Sequence, residues 1–192
     1  MKKARIIPVL ALLLLLAIGR HAFAQDAFPR FEVFGGFSYL PADSNDYPRD
    51  TSYGFQTSIT GNFTRWLGVA VDLGGQYGSN LFPPPLFGPS PMKIDTTVYE
   101  YGVGPRFTLR RQRASVFAHA LLGGASGRTS IGRFSDSELL LGLGGGVDIP
   151  VGGVGSSIAI RAAQFDFLSS FTDMLENNVR VGAGIVFKLG GR

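Results

Sequence analysis

The chain has 192 residues with 18 Lys and Arg, 14 Asp and Glu and no cysteine, which excludes disulfides, thiol chemistry and cysteine metal sites. Its formal charge of +4 comes from the N-terminus: Lys2, Lys3, Arg5 and Arg20 lie in 1–24, leaving 18 − 4 = 14 bases against 14 acids. Zero net charge beyond that point gives no electrostatic reason to expect nucleic acid as a partner.

Residues 1–24 read as a secretory signal peptide. Lys2, Lys3 and Arg5 precede the apolar run Ile6 to Ile18, and Ala22-Phe23-Ala24 supplies a small-x-small cleavage site. The run is shorter than the about 20 residues of a spanning helix. No cysteine follows Ala24, so a lipoprotein anchor is not expected. Cleavage after Ala24 leaves one domain, 25–192. Nothing further along is long and apolar enough for a transmembrane helix, so membrane residence would be as a barrel.

Eight segments then alternate with a period of two, the mark of strands with one apolar and one polar face. In 31–40, Phe31, Val33, Phe37 and Tyr39 oppose Glu32 and Ser38. In 53–63, Tyr53, Phe55, Ile59 and Phe63 oppose Gly54, Gln56, Ser58, Thr60 and Asn62. In 66–78, Leu67, Val69, Val71, Leu73 and Tyr77 oppose Gly68, Ala70, Asp72, Gly74 and Gln76. Segment 97–109 sets Tyr99, Tyr101, Val103, Phe107 and Leu109 against Glu100, Gly102, Gly104, Arg106 and Thr108.

The pattern in 114–125 is weaker, with Val116, Ala118, Ala120 and Leu122 opposite Ser115, Phe117, His119 and Gly123. Segment 138–149 sets Leu139, Leu141, Leu143, Val147 and Ile149 against Glu138, Gly142, Gly144, Gly146 and Asp148. Segment 157–168 begins with Ile158 and Ile160 opposite Arg161, then slips so that Gln164 and Asp166 fall on the apolar face. Either a β-bulge near Ala162-Ala163 restores them, or Asp166 sits at the rim. The last segment, 178–189, sets Val179, Val181, Ile185, Phe187 and Leu189 against Asn178, Arg180, Gly182, Gly184 and Lys188.

Long connections (41–52, 79–95, 126–136, 169–177) follow odd strands, and short ones (64–65, 110–113, 150–155) follow even strands. This is the pattern of an outer-membrane barrel. A water-soluble barrel of the lipocalin kind would turn the apolar face inward. Glycine argues against that, because it weakens a solvated strand face but makes room inside a narrow barrel. Aromatics also cluster near both ends of the apolar face, Tyr39, Tyr53, Tyr77, Tyr99 and Tyr101 at one and Phe31, Phe63, Trp66, Phe107 and Phe187 at the other. Two such belts match interfacial girdles. The expected fold is therefore all-β, an eight-stranded antiparallel up-and-down transmembrane β-barrel, with the polar face inward.

With "YGVGPRFTL", "LGLGGGVDI" and "RVGAGIVF", the chain from Phe31 to Leu189 resembles the small outer-membrane β-barrel proteins related to the OmpA transmembrane domain. The last stretch resembles that family's assembly signal through Arg180, Gly182, Ile185 and Phe187, although five residues follow the aromatic. The resemblance implies short turns in the periplasm, long loops outside, and contact with outer-membrane lipid and the barrel assembly machinery. No peptidoglycan-binding domain is expected after the barrel, and a monomer is expected.

The expected lumen holds Glu32, Asp72, Glu100, Glu138, Asp148 and Asp166 with Arg106, Arg161, Arg180 and Lys188. In so narrow a space these must pair, since an unpartnered buried charge is very costly. They form either a salt-bridge plug, favoured by their mixed signs, or an ion pathway. His119, the one histidine after residue 24, would need a nucleophile and an orienting acid for catalysis. Barrel enzymes that deacylate lipid A place Ser two residues after their His, where this chain has Leu121.

No catalytic, cofactor or metal site is expected. Gly142-Leu143-Gly144-Gly145-Gly146-Val147 lacks the last glycine and the helix of a dinucleotide site. Asp43, Asn45 and Asp46 lack the bidentate Glu of a calcium loop, and the sequon Asn62-Phe63-Thr64 falls at a periplasmic turn. In 79–95, the stiff Pro83-Pro84-Pro85 is flanked by Leu81, Phe82, Leu86 and Phe87, candidates either for a surface contact or for packing on the rim. The leading function is a non-enzymatic envelope protein making structural or surface contacts, with an unidentified partner, through its loops. A small-solute channel and a lipid-modifying enzyme are the alternatives.

Overall fold

The computed structural model describes residues 28–41, 52–82, 92–129, 137–153, 155–170 and 178–190. The segment read as a signal peptide, and Asp43, Asn45, Asp46, Leu86 and Phe87, lie outside them. The strands are β1 (Phe31–Leu40), β2 (Ser52–Asn62), β3 (Leu67–Phe82), β4 (Met92–Arg110), β5 (Ser115–Thr129), β6 (Ser137–Pro150), β7 (Ile158–Ser170) and β8 (Asn178–Leu189). Each pairs antiparallel with its neighbours in chain order, and β8 returns to β1 to close the barrel. Closure leaves no edge inside the membrane, where an unpaired backbone group has no water to bond.

The two faces divide as the alternation predicts. On β3, Val69, Val71, Leu73 and Tyr77 are exposed while Ala70, Asp72 and Gln76 are buried. On β4, Tyr101, Val103 and Phe107 are exposed while Glu100, Arg106 and Thr108 are buried. The outer surface is thus an apolar band fit for hydrocarbon, and the barrel's interior is polar. Rings gather at both ends of that band. Trp66 stacks on Phe107 at 6.0 Å near the turns, and Tyr39 meets Tyr53 at 5.4 Å near the loops.

Strand ends depart from the sequence reading on the loop side. Both ends of the stretch 79–95 are strand, because β3 continues to Phe82 and β4 starts at Met92, paired from Ser79↔Asp95 to Phe82↔Met92. Leu81 and Phe82 therefore lie in a strand, not in a loop. The pairing of β2 with β3 ends at Tyr53↔Tyr77, and that of β4 with β5 at Thr96↔Thr129. Among the described residues, β3 and β4 therefore run on as a two-stranded ribbon beyond the closed wall. Its sequence loses the lipid-facing pattern because the hydrocarbon ends, while the hydrogen-bond ladder does not.

The phase slip in β7 is a bulge. Val147 pairs with Ala163 and Asp148 with Arg161, leaving Ala162 without an opposite residue on β6. On the other side, Arg161 faces Gly184 and Gln164 faces Gly182, so Ala162 and Ala163 together span Ala183. The extra residue returns Gln164 and Asp166 to the interior, where they are 0% and 1% exposed.

Deleting Ala162 should turn the bulge into plain alternation, with Arg161 in, Ala163 out and Gln164 in, so that Gln164 and Asp166 stay inside. That variant should refold into detergent with normal heat-modifiable gel migration. Deleting Phe165, in the regular part of the strand, should put Gln164 or Asp166 on the lipid side and abolish the folded band. Failure of the Ala162 deletion, or a normal band for the Phe165 deletion, would show that the bulge does not set the phase.

Candidate functional site

The barrel's interior is occupied by one connected network. Towards the turns, Asp148 accepts from Arg161 Nε at 2.7 Å and Nη2 at 3.1 Å, and from Arg106 Nη2 at 3.1 Å. Arg106 also reaches Glu32 at 3.2 Å, and Glu32 accepts from Arg110 Nη2 at 2.6 Å. Two guanidinium groups this close would repel, so the aromatic floor beneath them matters. Arg106 lies 3.8 Å and Arg161 4.3 Å from the Phe117 ring, and Arg161 lies 4.1 Å from Phe34. Cation–π attraction strengthens when the pair is desolvated.

Arg161 Nη1 donates to Gln164 Oε1 at 2.7 Å, and Gln164 Nε2 donates to Asp166 Oδ2 at 2.8 Å. That relay joins the first cluster to a second, centred on Arg180. Its guanidinium reaches Asp166 at 2.7 Å, Glu100 at 2.8 Å and Asp72 at 3.0 Å. Those carboxylates come from β7, β4 and β3, so one side chain on β8 ties strands from around the wall. Gln56 Nε2 adds a bond to Asp72 at 2.9 Å, and His119 Nε2 lies 2.9 Å from Asp166 Oδ1.

Glycine makes the space for this. A Cβ on Gly144 would lie 2.0 Å from Asp166 Oδ1, 2.7 Å from the Phe165 carbonyl and 2.8 Å from His119 Nε2. Above the Arg180 cluster, towards the loops, the interior turns apolar with Leu121, Leu140 and Leu168, all buried. A cavity of about 20 Å³ lies between these leucines and Asp72, Glu100 and Arg180, room for about one water.

Of the residues named from sequence, Glu32, Asp72, Glu100, Arg106, Asp148, Arg161, Asp166 and Arg180 are buried in the interior. Lys188 is half-buried, opposite Glu32 in register. Glu138 lies opposite Ala125 on β6, with its side chain outside what the structure describes. Sequence reading missed Arg110, which it placed in a turn, and it did not foresee the bridging of Gln56 and Gln164 or the aromatic floor. Gln56 stood on the polar face of its strand, so its burial was legible, but its partners across the barrel were not.

The arrangement offers little for chemistry. His119 has an acid partner, but Leu121, two residues on, also faces the interior and carries no nucleophile. Among the described residues, no group of three or more His, Asp or Glu is arranged to hold a metal ion. Asp72, Glu100 and Asp166 surround a guanidinium instead.

Removing Arg180 leaves three carboxylates facing one another in the interior. Arg180→Ala should cost roughly 3–5 kcal/mol, the scale for breaking a buried pair, measured by urea unfolding in lipid vesicles. Adding Asp166→Asn should recover part of the loss. A loss below about 1 kcal/mol, the scale of an exposed pair, would contradict the network's structural weight.

Residues 10–187 match the family described as the outer membrane protein beta-barrel domain. Among solved structures, the chain is similar to Neisserial surface protein A, with a TM-score of 0.59 at 15% identity over 85% of this chain and 100% of that one. It is also similar to Ail, the attachment invasion locus protein of Yersinia pestis. One Ail crystal structure gives a TM-score of 0.53 at 16% identity, over 83% of this chain and 99% of that one. Another, in complex with the heparin analogue sucrose octasulfate, gives 0.50 at 16% identity over 84% and 99%. At these identities the likeness speaks to the fold. No curated protein matches the chain.

Proposed function

Because this chain belongs to the outer membrane protein beta-barrel domain family, we propose that it is a non-enzymatic outer-membrane surface protein working through its loop end. In this reading the export signal is cleaved after Ala24 and residues 25–192 insert as one monomeric domain. The turns lie in the periplasm and the loops outside, as is usual for such barrels.

The filled interior carries the reading. From Glu32 to Glu100 the charges are paired or relayed through hydrogen bonds, and leucines lie above them. A channel needs a continuous wet path, and an enzyme needs a nucleophile or an activated water in reach. Paired charges that hold strands together supply neither, which supports a rigid anchor.

The ribbon of β3 and β4 supports surface contact. Among the described residues, no strand pairs with its outer edges beyond Tyr77 on β3 and before Thr96 on β4, and a sheet edge can accept an extended segment of a partner. Leu81 and Phe82 remain contact candidates as part of this ribbon, with Leu86 and Phe87 in the segment that joins its strands. The sulfated ligand seen with Ail is not carried over. Asp43, Asp46, Asp50, Asp136, Asp173 and Glu176 outnumber Arg49 and Arg133 in the connecting segments on that side, which favours a partner that is not a polyanion.

Cutting out 79–95 and closing β3 to β4 with a two-residue turn should leave heat-modifiable folding intact. Cells displaying the shortened protein should lose any adhesion that the full-length protein confers. Planar bilayers containing the full-length protein should show no steady conductance. Ion-selective conductance would instead establish the channel, and undiminished adhesion would move the contact to another loop.

A further inference from the structure

A chain neutral beyond residue 24 is not neutral at each end of the barrel. At the turn end, Arg30, Arg65, Arg111 and Arg113 are exposed. The acid at that level, Glu32, is buried and already engaged by Arg106 and Arg110. Among the described residues the one exposed acid, Asp95, is at the opposite end. Arg110 also donates to the Arg65 carbonyl, which brings the β2–β3 and β4–β5 turns together. By contrast, the described residues of the β6–β7 turn, Val151 to Gly153 and Gly155 to Ser157, carry no charge. The basic surface is therefore one-sided.

Its depth identifies what it meets. Phe107 and Leu109 are outward positions on β4, exposed on the apolar band, and Arg111 continues that series two residues on. Two residues of strand are about 6–7 Å. Trp66, stacked on Phe107, is adjacent to Arg65 in the chain. Stacked aromatic rings mark where hydrocarbon gives way to headgroups. The arginines just past them stand at the level of lipid phosphates, which guanidinium groups bind with paired hydrogen bonds.

We propose that the turn end is a binding surface for anionic phospholipid headgroups of the periplasmic leaflet, with Arg111 and Arg113 as the phosphate donors. This holds one side of the barrel at a fixed depth, and it is independent of any contact made by the loops.

The test uses the mature chain refolded in phosphatidylcholine vesicles with trace spin-labelled phosphatidylglycerol or spin-labelled phosphatidylcholine. Electron spin resonance reads the fraction of each label that is immobilised at the barrel surface. The wild type should immobilise phosphatidylglycerol preferentially, with a preference that falls as salt rises. R111Q/R113Q should bring it towards parity, each arginine contributing up to about fivefold, with heat-modifiable folding unchanged. R111K/R113K should keep it. Equal immobilisation of both lipids by the wild type, or an unchanged preference in R111Q/R113Q, overturns the proposal. So does sedimentation with isolated peptidoglycan that R111Q/R113Q alone loses, without any lipid preference.

Discussion

One guanidinium, that of Arg180, holds carboxylates from three other strands in a space that lipid surrounds. Transfer of those charges from water into the barrel carries a large desolvation penalty, offset only when every one is paired and hydrogen-bonded. Much of the wall is arranged to meet that condition. Glycines on the inner face leave room for long side chains, Gln56 and Gln164 bridge acids that the arginine does not saturate, and the Phe117 ring lies against both Arg106 and Arg161.

The bulge in β7 belongs to the same condition. A strand in strict alternation through Ala162 and Ala163 would carry Asp166 on the lipid face, taking one carboxylate from Arg180 and an acid partner from His119. One extra residue corrects the phase and leaves Ala162 exposed on the outer surface, where a methyl group is at home in hydrocarbon. Backbone irregularity and interior electrostatics are here one feature.

The two ends of the barrel differ. The turn end is basic, ringed by aromatics and tied by Arg110, while at the loop end β3 and β4 run on as a ribbon whose outer edges pair with no strand among the described residues. A closed barrel wall has no free edge to offer a partner.

Strand number, facing and closure were legible in the sequence because a membrane barrel imposes a period of two along each strand, apolar outside and small or charged within. Even the slip at Gln164 and Asp166 could be read, since an acid cannot rest on an apolar face without a cause. The ribbon was not legible. Ser79 and Asn80 look like loop residues once the lipid-facing pattern stops, and cross-strand hydrogen bonds leave no mark on side-chain polarity. Nor were the partners. Alternation assigned Arg180, Asp72, Glu100 and Asp166 to the interior, but which acid meets which base depends on the stagger of strands far apart in sequence. The same holds for charge: a count finds neutrality beyond residue 24, whereas only the path of the chain, up and down the barrel, brings Arg30, Arg65, Arg111 and Arg113 to one end.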